Sequence, residues 1–194
     1  MLFVDTPLGL GTPMRDLASS VLPALNEVIN LGIANPDRIG LMGQSYGGYS
    51  VLALLVQTPR FRAAIARGAP GDLVSYYGQM TSQGYPGFIG WLEYGGGRMG
   101  GTPWQFRDEY IENSPVFFLD RVQTPLLLVH GEADATVSAA QAEEIFVGLR
   151  RLGKDVKYAK YGGEGHYEGD WSYSNRIDYF ERVMSWFDSH LKDG

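Results

Sequence analysis

One stretch decides the fold of this chain: Leu41-Met42-Gly43-Gln44-Ser45-Tyr46-Gly47-Gly48-Tyr49. An apolar run, Ile39 to Met42, leads into Gly-x-Ser-x-Gly, and an apolar segment from Tyr49 to Gln57 follows. Strand, tight turn and helix in this order are the context of a nucleophile elbow, in which a serine hydroxyl stands clear of the backbone. Gly43 and Gly47 are expected because strand and helix pass too closely for a Cβ atom. The alternative is a glycine-rich turn with an incidental serine, so residues elsewhere must decide.

The composition is that of an ordinary soluble domain. The chain has 194 residues, a net charge of −6 and no cysteine, and its length fits one domain over residues 1–194. The scattered acidic charge offers no basic face for nucleic acid or an anionic membrane. The lack of cysteine excludes disulfides, thiolate metal sites and a cysteine nucleophile. Because neither a signal peptide nor a membrane-spanning run is visible, a cytoplasmic location is predicted.

Short apolar runs alternate with helical periods along the chain. Strands are predicted at residues 2–4, 39–42, 63–66, 126–129 and 156–161. A first helix is expected to start near Ser20, with Pro23 in its first turn, and a later one to follow a capping box of Ser138 and Gln141. The last helix is predicted to bury its apolar positions Ile177, Phe180, Met184, Phe187 and Leu191. This alternation favours an α/β fold with a mainly parallel sheet and helices on both faces.

Three polar residues follow predicted strands: Ser45, Asp134 and His166. In a parallel sheet, catalytic groups collect beyond the carboxyl ends of the strands. A serine hydroxyl needs an imidazole to accept its proton, and the imidazole needs a carboxylate that holds its tautomer. The order Ser, Asp, His is that of α/β-hydrolases. The backbone N–H of Tyr46 is the expected first donor of an oxyanion hole, and no second donor can be identified.

Each assignment has a competitor. His130 ends a buried strand, where a packed and hydrogen-bonded role is expected, and His190 lies near the end of the last helix, where a cation suits the helix dipole. Glu132 competes with Asp134 for the role of the carboxylate, but its position fits equally well a solvated side chain or a cap of the neighbouring loop. The acidic residues around His166 are expected to form a solvated turn: Glu164, Glu168 and Asp170.

With these residues in view, the chain resembles the catalytic domain of the prolyl oligopeptidase family of serine peptidases. The resemblance rests on residues 35–49, Tyr110-Ile-Glu-Asn-Ser-Pro115, Thr124-Pro-Leu-Leu-Leu-Val-His-Gly-Glu-Ala-Asp134, Gly163-Glu-Gly-His166 and Trp186-Phe187. It implies an α/β-hydrolase fold in which Ser45 is the nucleophile, Asp134 the orienting carboxylate and His166 the base.

The resemblance also implies a hydrophobic specificity pocket. Residues 69–115 are rich in glycine and aromatic side chains and show no sustained period, which is typical of a lid or pocket wall. Within this segment the resemblance points to Tyr76, Tyr77 and Trp91 as lining residues. No metal or cofactor is implied.

Two differences from the family pattern stand out. Family members usually carry an N-terminal β-propeller, and none is present in the sequence. The first strands of the hydrolase sheet are also missing, together with the loop that would supply the second oxyanion donor. We therefore expect an incomplete N-terminal side of the sheet, whose apolar edge invites pairing with a second copy. A natural small hydrolase, a fragment and a proteolytic product all fit this pattern.

The leading functional hypothesis is a serine hydrolase that cleaves peptide or ester bonds through an acyl-enzyme, with small peptides or esters as substrates. A carboxylesterase with little peptidase activity is the second hypothesis. The third is a catalytically impaired scaffold, because loss of one oxyanion donor costs about 100- to 1,000-fold in rate.

Overall fold

A parallel sheet of four strands forms the centre of the computed structural model, which describes residues 1–81 and 84–192. The strands lie in the order β1-β2-β3-β4, and every neighbouring pair is parallel. Their bounds are β1 (Gly40–Gln44), β2 (Ala63–Arg67), β3 (Leu126–Gly131) and β4 (Val156–Tyr161). All four carboxyl ends therefore meet at one edge of the sheet, as the sequence predicted.

Helices cover both faces of this sheet. In chain order they are α1 (Pro13–Asn30), α2 (Tyr46–Leu55), α3 (Leu73–Tyr77), α4 (Ile89–Glu93), α5 (Arg107–Glu112), α6 (Ala139–Arg151) and α7 (Tyr173–Leu191), with short 3-10 turns at Pro115–Arg121 and Glu168–Asp170. Side chains of α1, α2 and α6 join the core on one face, and those of α7 join the core on the other. The predicted α/β-hydrolase architecture is thus confirmed.

Alternation along β2 explains why two separate cores form. Ala64 and Ala66 face the core that contains α2 and α6, whereas Ala63 and Ile65 face the α7 side. All four side chains are at most 1 % exposed, so this strand is buried on both faces. Such a strand reads as a continuous apolar run in the sequence, because neither face meets water.

The N-terminal predictions were wrong in two places. Residues 2–4 form no strand, because none of the described strands pairs with them, and Phe3 is 86 % exposed. The first helix begins at Pro13, which occupies its first turn, and continues through Pro23. An internal proline costs a helix about 3 kcal/mol, but burial of Leu17 and Leu25 on either side of Pro23 holds the helix together.

The face that α7 buries also differs from the prediction. Phe180 is 48 % exposed and Met184 is 62 % exposed, whereas Tyr179, Val183 and Trp186 are buried against the sheet. The prediction was right for Phe187 and Leu191, which pack against this core, and wrong for Phe180 and Met184. Helical spacing fits either set, and the buried set includes a side chain whose polar tip finds a partner inside the protein. The indole Nε1 of Trp186 donates to the carbonyl oxygen of Ala64 at 3.1 Å.

The start of α6 fulfils half of the predicted capping box. The Ser138 hydroxyl accepts from the N–H of Ala140 at 3.3 Å, as expected of an N-cap. The Gln141 side chain turns away from the helix start and accepts instead from the N–H groups of Gly71 and Asp72. It therefore ties α6 to the loop that follows β2.

The segment 69–115 contains the three short helices α3, α4 and α5, joined by longer stretches of turn and loop. Residues 82 and 83 of this segment lie outside the described residues. No helix in the described part of the chain is both long enough and apolar enough to cross a membrane.

The outer edge of β1 has no strand partner within residues 1–81 and 84–192, and Met42 on this strand is 45 % exposed. An unpaired edge of this kind is what the sequence predicted for the N-terminal side of the sheet. Association of two copies through this edge stays a prediction.

Glycines let β1 and α2 pass closely at the elbow. A Cβ atom on Gly43 would overlap the carbonyl group of Gly47, and one on Gly48 would lie 2.7 Å from the Cβ of Ala69. A Cβ atom on Gly47 would meet nothing within 4 Å. We expected both Gly43 and Gly47 because a Cβ atom would clash between strand and helix. This expectation is confirmed at Gly43 and wrong at Gly47.

We expect Gly43→Ala to lower the free energy of unfolding by about 3 kcal/mol, because the backbone of strand or helix must move. Gly47→Ala is the matched control and should be neutral or slightly stabilising, since alanine favours a helix over glycine by about 1 kcal/mol. Urea unfolding of both variants measures the difference. Equal stability of the two variants would contradict the close packing of β1 on α2.

Candidate active site

Ser45 lies at the tip of the turn between β1 and α2. Its φ of 55° is in the left-handed region, which a residue with a side chain rarely adopts. The N–H of Ser45 donates to the carbonyl oxygen of Arg67 at 2.8 Å, so the turn is fixed to the end of β2. A strained serine between a strand and a helix is the geometry that the sequence predicted for a nucleophile elbow.

Asp134 and His166 come together at the carboxyl ends of β3 and β4. The Asp134 Oδ2 atom lies 2.6 Å from His166 Nδ1. The other carboxylate oxygen, Oδ1, accepts from the N–H groups of Thr136 and Val137, both at 2.8 Å. Asp134 is 9 % exposed and His166 is 7 % exposed, so this hydrogen bond is shielded from water.

These contacts determine which ring nitrogen of the His166 imidazole carries the proton. A carboxylate can only accept, so Nδ1 of His166 donates and, in the neutral ring, Nε2 is left free to take a proton. Burial alone would raise the pKa of Asp134, but hydrogen bonds from His130, His166 and Val137 outweigh it and hold that pKa well below its ordinary value. Asp134 therefore stays ionised at neutral pH and can stabilise a charged imidazole.

The competing residues have other roles. His130 is fully buried, and its Nε2 donates to the Val137 carbonyl oxygen at 2.8 Å while lying 3.4 Å from Asp134 Oδ2. The packed, hydrogen-bonded role expected for His130 is confirmed. Glu132 is exposed and pairs with Lys160. His190 lies on the ring of Trp186, away from the elbow.

The solvated turn expected around His166 was wrong for two of its three carboxylates. Glu164 is 8 % exposed and accepts from Ser172 and Asn175 at the start of α7. Glu168 forms an ion pair with the buried guanidinium of Arg67. Only Asp170 is exposed as expected. No local pattern predicts these contacts, because Ser172 lies eight residues beyond Glu164 and Arg67 lies 101 residues before Glu168.

The His166 loop lies against the strand end that carries Ser45. The Gln44 side chain donates from Nε2 to the carbonyl oxygen of His166 at 3.0 Å, and Arg67 Nη1 donates to the same oxygen at 3.2 Å. Among the described residues no hydrogen bond joins the Ser45 hydroxyl to the imidazole. The structure thus brings the three predicted residues to one edge of the sheet, and a direct contact between hydroxyl and imidazole stays a prediction.

Tyr46 contributes a backbone donor and an aromatic wall. It is the first residue of α2, and the N–H groups of a first helical turn have no partner within the helix. Its ring stacks on Tyr49 with centroids 5.2 Å apart and meets Trp91 edge-on at 5.5 Å. Trp91 thereby packs on the side chain of the residue that follows Ser45, and its role in a substrate pocket stays a prediction.

The two tyrosines predicted to line the pocket lie in different places. Tyr76 stacks on Phe88, which in turn contacts Trp91, so Tyr76 continues the aromatic layer that starts at Tyr46. It also lines a cavity of about 180 Å³ beside Asp134. Tyr77 lies in a separate cluster with Tyr110, and its hydroxyl donates to Glu93 at 2.8 Å.

Two further features concern ligands. A larger cavity, of about 540 Å³, lies at the opposite ends of the strands and is lined by none of the predicted site residues. Within residues 1–81 and 84–192, no group of three or more His, Asp or Glu side chains is arranged to hold a metal ion.

Comparison with known proteins agrees with this geometry. Residues 16–194 match the family model described as the prolyl oligopeptidase family. The chain belongs to the prolyl oligopeptidase family. The resemblance inferred from the sequence motifs is therefore confirmed.

Several named members of the prolyl oligopeptidase family are similar to the chain in sequence. An uncharacterized peptidase, YuxL, of Bacillus subtilis is 31 % identical over 180 residues, which cover 88 % of this chain and 25 % of that protein. Dipeptidyl-peptidase 5 of Porphyromonas endodontalis is 29 % identical over 187 residues, which cover 94 % of this chain and 25 % of that protein. The chain thus spans about a quarter of the length of these relatives.

Solved structures agree on the fold. The acylaminoacyl peptidase of Pyrococcus horikoshii superposes with a TM-score of 0.82 at 26 % identity, over 95 % of this chain and 29 % of that one. A puromycin-hydrolyzing peptidase of Mycobacterium tuberculosis gives a TM-score of 0.82 at 25 % identity, over 95 % of this chain and 26 % of that one.

We expect the stability of the protein to depend on pH through Asp134. A carboxyl whose pKa is lower in the folded chain than its unfolded value, near 3.9, stabilises the fold above about pH 4, and this contribution is lost as the pH falls through and below that value. The Asp134→Asn variant lacks this carboxylate and therefore lacks its pH-dependent contribution to stability. Urea unfolding should therefore show a gap between parent and variant of about 2 kcal/mol at pH 7 that shrinks toward pH 3.

The exposed Asp108 supplies a matched control, since it forms a surface ion pair with its neighbour Arg107. The Asp108→Asn variant should follow the parent at every pH, because such pairs contribute little. A gap between the parent and Asp134→Asn that stays constant from pH 7 to pH 3 would contradict the lowered pKa.

Proposed function

We propose that the chain is a serine hydrolase that cleaves acyl bonds in short peptides through a covalent acyl-enzyme. The observation that carries the proposal is the buried hydrogen bond of 2.6 Å between Asp134 and His166, formed at the edge where the strained Ser45 turn lies. A buried carboxylate–imidazole pair at the same sheet edge as a half-buried serine is the arrangement expected to activate a serine hydroxyl.

In the proposed reaction, His166 Nε2 takes the proton of the Ser45 hydroxyl as its oxygen attacks the substrate carbonyl carbon. Asp134 stabilises the imidazolium that forms. The N–H of Tyr46 donates to the oxyanion of the tetrahedral intermediate, and the imidazolium then gives its proton to the leaving amine. A water molecule hydrolyses the acyl-enzyme by the same steps, which restores the serine.

The proposed pocket for the substrate side chain is the aromatic layer next to Ser45. Trp91 and Tyr76 belong to this layer through their contacts with Tyr46 and Phe88. Tyr77 belongs to a separate cluster and is linked to this layer only through its hydrogen bond with Glu93, which lies on the same helix as Trp91. Relatives named dipeptidyl-peptidase and acylaminoacyl peptidase support peptides as the proposed substrate class.

The test is covalent labelling with a fluorophosphonate probe together with hydrolysis of p-nitrophenyl acetate. We expect the folded parent to be labelled at Ser45, and Ser45→Ala to lose labelling and at least about 10⁴-fold in rate, as for loss of a triad nucleophile. Ser19→Ala is the matched control, because Ser19 is an exposed serine of α1 whose hydroxyl donates to the Arg15 carbonyl oxygen. Equal rates for parent and Ser45→Ala would refute the proposal and support an inactive scaffold.

A carboxylesterase is the second candidate. The observation that favours it is the lack of a hydrogen bond between the Ser45 hydroxyl and the imidazole among the described residues, since an activated ester needs less help than an amide. An aminoacyl p-nitrophenyl ester and the matching p-nitroanilide separate the two candidates. Turnover of both identifies a peptidase, and turnover of the ester alone identifies an esterase.

A further inference from the structure

Arg67 is a buried charge at the carboxyl end of β2. It is only 3 % exposed, and its guanidinium carbon lies 5.4 Å from the ring centroid of Tyr179 and 5.9 Å from that of Trp171. Arginine is almost never fully buried unless it is paired. The desolvation of such a group is costly enough that its contacts need an explanation.

The contacts of Arg67 reach both halves of the site. Its carbonyl oxygen accepts from the N–H of Ser45 at 2.8 Å. Its Nη1 atom donates to the carbonyl oxygen of His166 at 3.2 Å, and its Nη2 atom pairs with the carboxylate of Glu168, two residues further along the same loop. One residue therefore holds the backbone of the nucleophile and the backbone of the base.

The His166 loop depends on such contacts because it follows the edge strand β4 and has no neighbouring strand of its own. On the side of Asp134 it is held by the imidazole bond and by the N–H of Ala133, which donates to the Glu164 carbonyl at 2.9 Å. On the side of Ser45 it is held by the side chains of Arg67 and Gln44.

We propose that Arg67 is a positioning residue: by bridging the His166 carbonyl and the Glu168 carboxylate, its guanidinium holds the imidazole in reach of the Ser45 hydroxyl. The inference rests on the proposed function of this site. Because a misplacement of about 1 Å can cost about 100-fold in rate, the role of Arg67 is in the rate of the chemical step rather than in substrate affinity.

The geometry of a guanidinium explains why arginine is needed. Its planar fork offers two donors in fixed directions, so one side chain can bind a carbonyl and a carboxylate at once. A lysine ammonium at the same place keeps the charge but has no rigid fork. Lysine should therefore preserve the fold and restore the position of the loop only in part.

The experiment compares Arg67→Met and Arg67→Lys with the parent on p-nitrophenyl acetate. We expect Arg67→Met to lower kcat by about tenfold to 100-fold with KM changed less than about twofold, and Arg67→Lys to fall between this variant and the parent. Arg182→Met is the matched control, because it removes an arginine–carboxylate pair from the exposed side of α7. It should leave kcat unchanged.

A second measurement follows the imidazole without relying on activity. The downfield proton resonance of the His166 Nδ1–H bond to Asp134 should shift or broaden in Arg67→Met and stay unchanged in Arg182→Met. Thermal unfolding of each variant establishes that it is folded. If Arg67→Met does not fold, Arg67→Lys carries both measurements.

The outcomes separate this inference from the proposed function. A parent whose activity requires Ser45, together with a folded Arg67 variant of parental kcat and unchanged resonance, overturns the positioning role and leaves the hydrolase intact. A parent without Ser45-dependent activity overturns the proposed function, and the resonance alone then decides whether Arg67 positions the imidazole. Equal losses of activity in Arg67→Met and Arg182→Met would also refute the inference.

Discussion

The hydrogen bond between Asp134 and His166 is the interaction on which the rest of the site depends. It joins the loop after β3 to the loop after β4, and it exists only because two parallel strands end side by side. Both backbone N–H groups that hold Oδ1 of Asp134 come from its own loop, so the carboxylate is rigid before the imidazole reaches it. A fixed carboxylate of this kind sets the tautomer of the base and stabilises its charged form.

The same edge of the sheet brings the nucleophile to this pair. The close approach of β1 to α2, which Gly43 permits, leaves Ser45 in a strained conformation at the tip of the turn. Backbone strain is kept only where the surroundings fix it, and here the Arg67 carbonyl fixes the Ser45 N–H. Fold and site are therefore coupled, because the contact that fixes the Ser45 turn is also part of the packing at the sheet edge.

Much of this arrangement could be predicted from the sequence, because strand order, the elbow motif and the sequence order of the site residues are local or topological signals. What failed depended on distant partners. Helical spacing fitted two faces of α7. The sheet selected the face of Tyr179 and Trp186: the Trp186 indole N–H donates to the Ala64 carbonyl oxygen, and the Tyr179 ring lies beside the Arg67 guanidinium. Glu164 and Glu168 looked solvated because their partners, at the start of α7 and at the end of β2, are not their neighbours in the sequence. Arg67 went unnoticed because a charge that ends an apolar strand usually marks the surface.

A crystal structure of the protein after reaction with a small phosphonate ester tests the central claim most directly. The account predicts phosphorus bonded to the Ser45 oxygen, a phosphoryl oxygen directed at the N–H of Tyr46, and His166 Nε2 within about 3 Å of the Ser45 oxygen. An imidazole that stays more than about 5 Å from that oxygen in the reacted protein, beyond hydrogen-bond reach, would contradict it.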